Sequence, residues 1–204
     1  DGARLNEQQM RAAILFDVNH VVIPEPIASS GGAENDQFFA GIGPDTVDGG
    51  AGFDILSFAT LPTAVRVDLS NATANAGGAY GYVIRNVEGL IGTDLADVMT
   101  GDSGANSLAT GAGNDTVRGG NGADWITPGA GSDRVDGGAG NDMVSFADLS
   151  QGVAVDLSNN TAISGGDKDT LTNVERVTGT IFGDFITGDA QDNHIRALGD
   201  YDWL

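Results

Sequence analysis

The sequence predicts an all-β fold, a parallel β-roll or β-solenoid in which each short repeat contributes one turn and one strand. The first observation is a nine-residue pattern, G-G-x-G-x-D-x-U-x with U a large apolar residue, in Gly31–Ser57, Gly92–Ser145 and Gly179–Leu204. The second is that the apolar position stays in phase through all three runs. The third is a duplication, because Gly49–Asn71 aligns with Gly137–Asn159 at an offset of 88 residues. A fixed short period with duplication is typical of solenoids, in which each layer contacts only its neighbours.

Twelve repeats follow when the register is set from the sixth position alone. The sixth positions are Asp36, Asp45, Asp54, Asp97, Asn106, Asp115, Asp124, Asp133, Asp142, Asp184, Asn193 and Asp202. The eighth positions are Phe38, Val47, Leu56, Met99, Leu108, Val117, Ile126, Val135, Val144, Ile186, Ile195 and Leu204. All of the eighth positions are apolar, although only 40% of the chain is hydrophobic. A flexible Gly/Asp-rich segment would not keep this phase, so the pattern favours strands with an apolar inner face.

Some repeats have lost the glycine of the fourth position. The residues found there instead are Glu34, Leu95, Phe182, Gln191 and Asp200. Glycine is expected in the turn because several of its residues need conformations that a Cβ penalises. The turns of these eroded repeats are therefore weaker candidates for a ligand site.

Two inserts, residues 58–91 and 146–178, separate the three runs. Each carries an alternating strand, Val65–Ser70 or Val153–Ser158, and a second strand is predicted near Val83–Leu90 or Thr170–Val177. We expect one continuous solenoid that passes through the inserts in longer, metal-poor layers. Separation into domains at these points is the alternative.

Residues 1–30 differ from the rest of the chain. Asn6 can cap a short helix, Glu7–Phe16, with Met10 and Ile14 on one face, and an extended connector with two prolines follows. This segment is interpreted either as a cap on the end of the solenoid or as a linker to an upstream domain.

Charge and composition narrow the choice of partner. The chain has 9 Lys and Arg against 29 Asp and Glu, a net charge of −20, which disfavours nucleic acid and anionic membranes and favours cations. The absence of cysteine excludes disulfides and thiol metal sites. No apolar run reaches the ~20 residues of a membrane-spanning helix, so membrane insertion is not expected. We expect the chain to be an internal piece of a longer polypeptide.

The nonapeptides closely resemble those of the RTX proteins, the hemolysin-type calcium-binding exoproteins of Gram-negative bacteria. The resemblance covers about half of the residues and rests on the repeats quoted above. It implies a secreted or cell-surface protein exported by type I secretion. It also implies Ca²⁺ as the ligand, with several ions, about six, held between each turn and the turn two repeats later.

By this resemblance the earlier turn supplies the carbonyls of positions two and four, the later turn supplies those of positions one and three, and both sixth-position side chains contribute. One site then joins Gly111, Gly113 and Asp115 to Pro128, Ala130 and Asp133. A second joins Gly120, Gly122 and Asp124 to Gly137, Ala139 and Asp142. The same rule makes Gly119 and Asn121 carbonyl ligands with Asp124 in a site shared with Asn106. The remaining pairs are Asp36 with Asp54, Asp97 with Asp115, and Asp184 with Asp202, and Asp45 holds the sixth position of the second repeat.

Catalysis is not expected. The two histidines, His20 and His194, belong to no H-E-x-x-H motif, and there is no G-x-S-x-G elbow. Three functions stay open: a segment of a secreted exoprotein that folds on binding Ca²⁺ outside the cell, an adhesive, surface-layer or biofilm-matrix segment, or the non-catalytic C-terminal part of an RTX protease, lipase or polysaccharide epimerase. Self-association or surface and matrix partners would favour the second of these.

Overall fold

The computed structural model describes residues 28–199 and 201–204, so the predicted helix Glu7–Phe16 and its connector lie outside the described residues. The described part is all-β, and its one helical element is a 3-10 helix of three residues, Leu157–Asn159. No helix in this part has the length and apolar character needed to cross a membrane. The predicted all-β fold with stacked parallel strands is confirmed.

Most of the strands have only three residues, as expected when each nonapeptide spends six residues on a turn. Those in the first half of the described chain are β1 (Ala28–Ser30), β2 (Gln37–Phe39), β3 (Thr46–Asp48), β4 (Ile55–Ser57), β5 (Val65–Asp68), β6 (Ala76–Gly77), β7 (Val83–Arg85), β8 (Gly89–Ile91), β9 (Val98–Thr100) and β10 (Ser107–Ala109). Those in the second half are β11 (Thr116–Asn121), β12 (Trp125–Thr127), β13 (Arg134–Ala139), β14 (Met143–Ser145), β15 (Ala154–Asp156), β16 (Thr161–Ser164), β17 (Asp167–Thr172), β18 (Arg176–Thr178), β19 (Phe185–Thr187) and β20 (His194–Arg196).

Within the runs, the chain alternates between two faces of a roll. One face is an eight-stranded sheet in the order β2-β4-β8-β10-β12-β14-β18-β20, with every neighbouring pair parallel. The other face consists of a three-stranded sheet, β1-β3-β7, and a nine-stranded sheet, β19-β15-β16-β17-β13-β11-β9-β5-β6. Val117 pairs with Val135 and Leu108 pairs with Ile126, so each repeat stacks on the repeat 18 residues later.

The eighth positions of the repeats fill the space between the two faces. Nine of them are buried, namely Val47, Leu56, Met99, Leu108, Val117, Ile126, Val135, Val144 and Ile186. Phe38 and Ile195, on strands at the two edges of the eight-stranded sheet, are only partly buried, and Leu204 is exposed. Because alternate residues of a strand point to opposite faces, a single apolar residue per strand is enough to line this narrow core.

The two inserts pair with the strands of the flanking runs. In the first insert, β5 pairs with β9 and β7 pairs with β3, while the short β6 lies antiparallel to β5. In the second, β15, β16 and β17 form an antiparallel meander between β13 and β19. Each insert therefore adds strands to the face opposite the eight-stranded sheet, and its last strand, β8 or β18, belongs to the eight-stranded sheet itself.

The second strand predicted in each insert is in fact two strands. Within Val83–Leu90, β7 ends at Arg85 and β8 begins at Gly89, and within Thr170–Val177, β17 ends at Thr172 and β18 begins at Arg176. Three-residue turns, Asn86–Glu88 and Asn173–Glu175, separate them. Their central valines are buried like strand residues, so the hydrophobic pattern gives no sign of a turn.

Candidate metal centre

The sixth-position side chains form hydrogen-bonded ladders along the roll. Within a run, the backbone N–H of one sixth-position residue donates to the Oδ1 atom of the sixth-position residue 18 positions later, as Asp115 does to Asp133 (2.8 Å) and Asp124 does to Asp142 (2.9 Å). The structure joins all six predicted pairs in this way: Asp36–Asp54, Asp97–Asp115, Asn106–Asp124, Asp115–Asp133, Asp124–Asp142 and Asp184–Asp202. The later carboxylate of each pair therefore has one oxygen bound by protein, and its second oxygen decides what else the turn can bind.

In one class of turns, which we call closed turns, the protein backbone of the same turn binds the sixth-position side chain. The backbone N–H of position two donates to the sixth-position side chain of the same turn, as Gly32 does to Asp36 (2.9 Å) and Thr93 does to Asp97 (2.7 Å). The closed turns are 31–36, 92–97, 101–106, 179–184 and 188–193. Each lacks glycine at position two, at position four, or at both. A closed turn satisfies its own carboxylate or carboxamide oxygen without a ligand.

In the other class, which we call open turns, glycines with positive φ stand at both positions. Gly111 and Gly113 have φ of 97° and 136°, and Gly120 and Gly122 both have φ of 112°. The open turns are 49–54, 110–115, 119–124, 128–133 and 137–142. In these turns the structure shows no hydrogen bond from the N–H of position two to the sixth-position oxygen. The geometry expected of the intact motif is thus confined to these five turns among the described residues.

The open turns leave one carboxylate oxygen of each sixth-position aspartate buried and without a hydrogen-bond partner. These atoms are Oδ2 of Asp54, Asp115, Asp124, Asp133 and Asp142. All five residues are at most 3% exposed. Burying an unpaired carboxylate oxygen is costly, so each open turn favours a proton or a cation at this position.

Backbone oxygens gather around the same atoms. A Cβ built on Gly119 would collide both with Oδ2 of Asp124 and with the carbonyl oxygen of Gly137 in the next layer. Because Gly119 has no side chain, a small cradle lies between the two turns, lined by the carboxylate of Asp124 and the carbonyl of Gly137. These hard oxygen donors are the ligands that Ca²⁺ takes. The residues present thus fit a bound Ca²⁺ ion.

The carbonyls predicted as ligands line the contact between stacked turns, which lie two repeats apart in the chain. Ala130 donates its N–H to the carbonyl of Gly111 (3.1 Å), and Gly113 donates its N–H to the carbonyl of Ala130 (2.9 Å). The carbonyl of Pro128 accepts a hydrogen bond from the Thr110 hydroxyl (2.8 Å). Gly122 likewise donates to the carbonyl of Ala139 (2.9 Å). Each carbonyl keeps a second lone pair, so these bonds leave acceptor capacity for a cation.

Other predicted carbonyl ligands belong to the strand that leads into an open turn. Strand β11 extends through Gly119 and Gly120 to Asn121, whose N–H bonds to the carbonyl of Asp102 (3.1 Å). Among the described residues, no three His, Cys, Asp or Glu side chains come together in one cluster. A cation in these turns would therefore depend on backbone carbonyls combined with one or two carboxylates.

Burial raises the pKa values of the carboxyl groups in the open turns. It raises the pKa of Asp133 to about 7, with added repulsion from Asp169 and Asp115, and the pKa of Asp124 to about 6, with added repulsion from Asp142. The pKa values of Asp115 and Asp142 are also raised, again mainly by burial. The metal-free turns thus hold protons more tightly than free carboxylates do, as expected for negative charges without a counterion.

Asp45 is in a different environment from the other sixth positions. The hydroxyl of the buried Tyr82 lies 2.8 Å from Oδ2 of Asp45 and 2.9 Å from the carbonyl oxygen of Gly41. Burial and the neighbouring Asp45 carboxylate raise the pKa of Tyr82, so this hydroxyl stays protonated and can donate. The protein itself therefore supplies a donor to this turn.

Three acidic residues of the inserts continue the ladders although they were not predicted as site residues. Asp54 donates its N–H to Oε2 of Glu88 (2.8 Å), Asp142 to Oε2 of Glu175 (2.9 Å) and Asp133 to Oδ1 of Asp169 (2.9 Å). A sequence signal exists for the two glutamates, because Glu88 and Glu175 lie nine residues before Asp97 and Asp184, at the sixth position of one more repeat. Asp169 has no such signal, since its place depends on the meander of the second insert.

The chain was compared with known proteins and protein families. A family model described as the RTX calcium-binding nonapeptide repeat matches it in four copies, at residues 30–57, 91–126, 110–144 and 174–204. Together these matches cover more than half of the chain. The comparison with curated proteins gives no match.

Proposed function

Because the chain belongs to the RTX calcium-binding nonapeptide repeat family, whose repeats bind Ca²⁺, we propose that it is a roll-forming segment of a larger secreted exoprotein. In this proposal the segment folds when it binds Ca²⁺ outside the cell. It contributes no catalytic group and acts as a calcium-dependent structural module. The remainder of the polypeptide would carry any further activity.

The observation that carries the proposal is the set of five buried Oδ2 atoms without partners, one in each open turn. A bound Ca²⁺ would supply the positive charge that these oxygens lack. By the pairing that the family implies, both turns of a pair are open for Asp115 with Asp133 and for Asp124 with Asp142. These two pairs are the strongest sites in the proposal.

The proposal assigns one ion to each open turn, five in all, instead of about six. The closed turns are left without an ion of their own because a backbone N–H already occupies the place of the cation. Four of the six predicted pairs begin at a closed turn and lose their ion for this reason: Asp36 with Asp54, Asp97 with Asp115, Asn106 with Asp124, and Asp184 with Asp202. Two predicted pairs remain, and the open turns of Asp54, Asp133 and Asp142 add three sites.

Folding and metal binding are coupled in this proposal. Stacking the turns brings carboxylates together in a chain of net charge −20, and this repulsion opposes folding until cations bind. Extracellular sites of this kind bind Ca²⁺ with dissociation constants on the order of 10⁻⁴–10⁻³ M. Scarce cytosolic calcium would therefore leave the chain unfolded for export, and extracellular calcium would drive folding by mass action.

Far-UV circular dichroism of the chain tests the proposal, with Ca²⁺ titrated from excess chelator to about 10 mM, well above the expected dissociation constants. We expect a transition from coil to β-structure at or below about 1 mM Ca²⁺. Mg²⁺ at the same concentrations should not produce it, because Mg²⁺ demands a smaller and more regular shell of ligands. A chain already folded in chelator, whose spectrum does not change as Ca²⁺ is added, would contradict the proposal that it folds on binding Ca²⁺.

A further inference from the structure

The turn Asn-Val-Glu occurs twice, at Asn86–Glu88 and at Asn173–Glu175. The first copy stacks on the open turn 49–54 and the second on the open turn 137–142. Both of these open turns lead into strands of the eight-stranded sheet. Each copy replaces the six-residue turn of a nonapeptide by three residues. Both asparagines have positive φ, 49° at Asn86 and 53° at Asn173. Both valines are buried in the core. The two turns are therefore built alike in both halves of the duplication.

The glutamate of each turn takes the place of a sixth-position aspartate. Asp142 donates its N–H to Oε2 of Glu175 at 2.9 Å, the same length as the bond from Asp124 to Oδ1 of Asp142. Asp54 donates to Oε2 of Glu88 at 2.8 Å. The additional methylene of glutamate compensates for the shorter turn, so the carboxylate reaches the ladder.

The asparagine of each turn takes the place of position one. A Cβ built on Gly137 would collide with the carbonyl oxygen of Asn173 and lie 2.9 Å from Oδ2 of Asp142. A Cβ built on Gly49 would collide with the carbonyl oxygen of Asn86 and lie 2.5 Å from Oδ2 of Asp54. The same cradle at Gly119 is lined by the carbonyl of Gly137 and by Oδ2 of Asp124. The short turn thus reproduces two of the oxygens that a following nonapeptide would supply.

These two cradles contain a buried carboxylate oxygen that no protein group satisfies. Asp54 and Asp142 are both 0% exposed, and Oδ2 of each has no hydrogen-bond partner. We propose that the Asn-Val-Glu turns complete two Ca²⁺ sites, with Glu88 and the Asn86 carbonyl as ligands in one and Glu175 and the Asn173 carbonyl in the other. This inference rests on the proposed function, and it places ligands in the inserts, outside the nonapeptides.

A purely structural role for the glutamates can be separated from metal binding by changing charge alone. Glutamine keeps an oxygen that can accept the N–H of Asp54 or Asp142, but it removes the negative charge that a cation needs. The test is therefore the double variant E88Q/E175Q, with E34Q as the matched control. Glu34 is exposed and lies in a closed turn.

The number of Ca²⁺ ions per chain is counted by native mass spectrometry at saturating calcium, with far-UV circular dichroism as a check of the fold. We expect the double variant to bind two ions fewer than the wild type, each single variant to bind one fewer, and E34Q to bind the full number. A double variant that keeps the full number would overturn this inference and leave the proposed function intact. A wild-type chain that binds no Ca²⁺ would overturn the proposed function itself.

Discussion

Gly111 and Gly32 both stand at the second position of a turn, but their surroundings differ. Gly111 has a φ of 97°, and a Cβ on it would collide with the carbonyl oxygen of Thr93. Gly32 lies in a closed turn, without positive φ, and a Cβ on it would meet no atom within 4 Å. Its N–H donates to Asp36, whereas Oδ2 of Asp115 in the turn of Gly111 has no partner. The conformation of one glycine therefore accompanies the difference between a turn that satisfies its own carboxylate and one that leaves a carboxylate oxygen without a partner.

Replacing these two glycines by alanine should have very different effects. The left-handed conformation costs an alanine about 1–2 kcal/mol, and the collision with Thr93 adds to this cost in G111A. We expect G111A to lower the free energy of unfolding in saturating Ca²⁺ by at least about 1 kcal/mol. G32A should remain close to the wild type. Urea unfolding followed by circular dichroism measures both, and equal stabilities would contradict the assignment of open and closed turns.

Much of the roll could be predicted at the level of the single element, because its period is local. Setting the register at the sixth position placed nine of the eighth-position residues correctly in the core. The same frame, continued nine residues before Asp97 and Asp184, reaches Glu88 and Glu175, with the apolar Leu90 and Val177 two residues later. Glu88 and Glu175 could therefore have been predicted from the sequence as ladder residues. The frame was not extended to them because the turns 86–88 and 173–175 lack the glycines that mark the motif.

Other features depend on pairing between distant residues, which no local pattern specifies. Asp169 accepts a hydrogen bond from Asp133, 36 residues earlier, because the meander β15–β17 returns the chain to the edge of β13. Tyr82 reaches Asp45 because β7 pairs with β3 across the first insert. The turns Asn86–Glu88 and Asn173–Glu175 are hidden for a local reason. They contain no glycine, and each has an apolar valine at its centre that is buried like a strand residue, so the sequence pattern does not distinguish them from the strands beside them.

The left-handed asparagine of a short turn gives a test at this scale. Asn173 has a φ of 53°, and its side chain donates to Oδ1 of Asp136 (2.7 Å). The variants N173G and N173A both lose this bond, but only alanine opposes the backbone conformation. We expect N173G to be more stable than N173A by about 1 kcal/mol. Urea unfolding in saturating Ca²⁺ measures the difference, and a more stable alanine variant would show that the turn is not left-handed in solution.

At the scale of the whole molecule, the proposed function makes negative charge the main obstacle to folding without metal. The chain carries 29 acidic residues against 9 basic ones, and the ladders bury carboxylates in both faces of the roll. Each bound Ca²⁺ would cancel two negative charges where they lie closest together. Protons are the other cation available to the same oxygens, so acid should partly replace calcium.

The sign of this pH dependence follows from the raised pKa values. Burial raises the pKa of Asp133 to about 7 and those of Asp124 and Asp169 to about 6, against an ordinary value of 3.8. A carboxyl group whose pKa is higher in the folded state binds more protons when folded. Its contribution to stability is complete below pH about 4 and is lost as the pH rises through about 6 to 7.

We therefore expect the calcium-free chain to gain β-structure when the pH is lowered from 8 to 5 in excess chelator. Circular dichroism combined with urea unfolding measures this gain. The same oxygens must lose their protons to bind metal. The Ca²⁺ concentration needed for folding should therefore rise as the pH is lowered from 8 to 5. The D133N variant should show a smaller pH dependence than the wild type, whereas D148N, changed at an exposed residue, should match it. A metal-free chain that becomes more stable as the pH rises from 5 to 8 would show that the buried aspartates are not the groups that oppose folding.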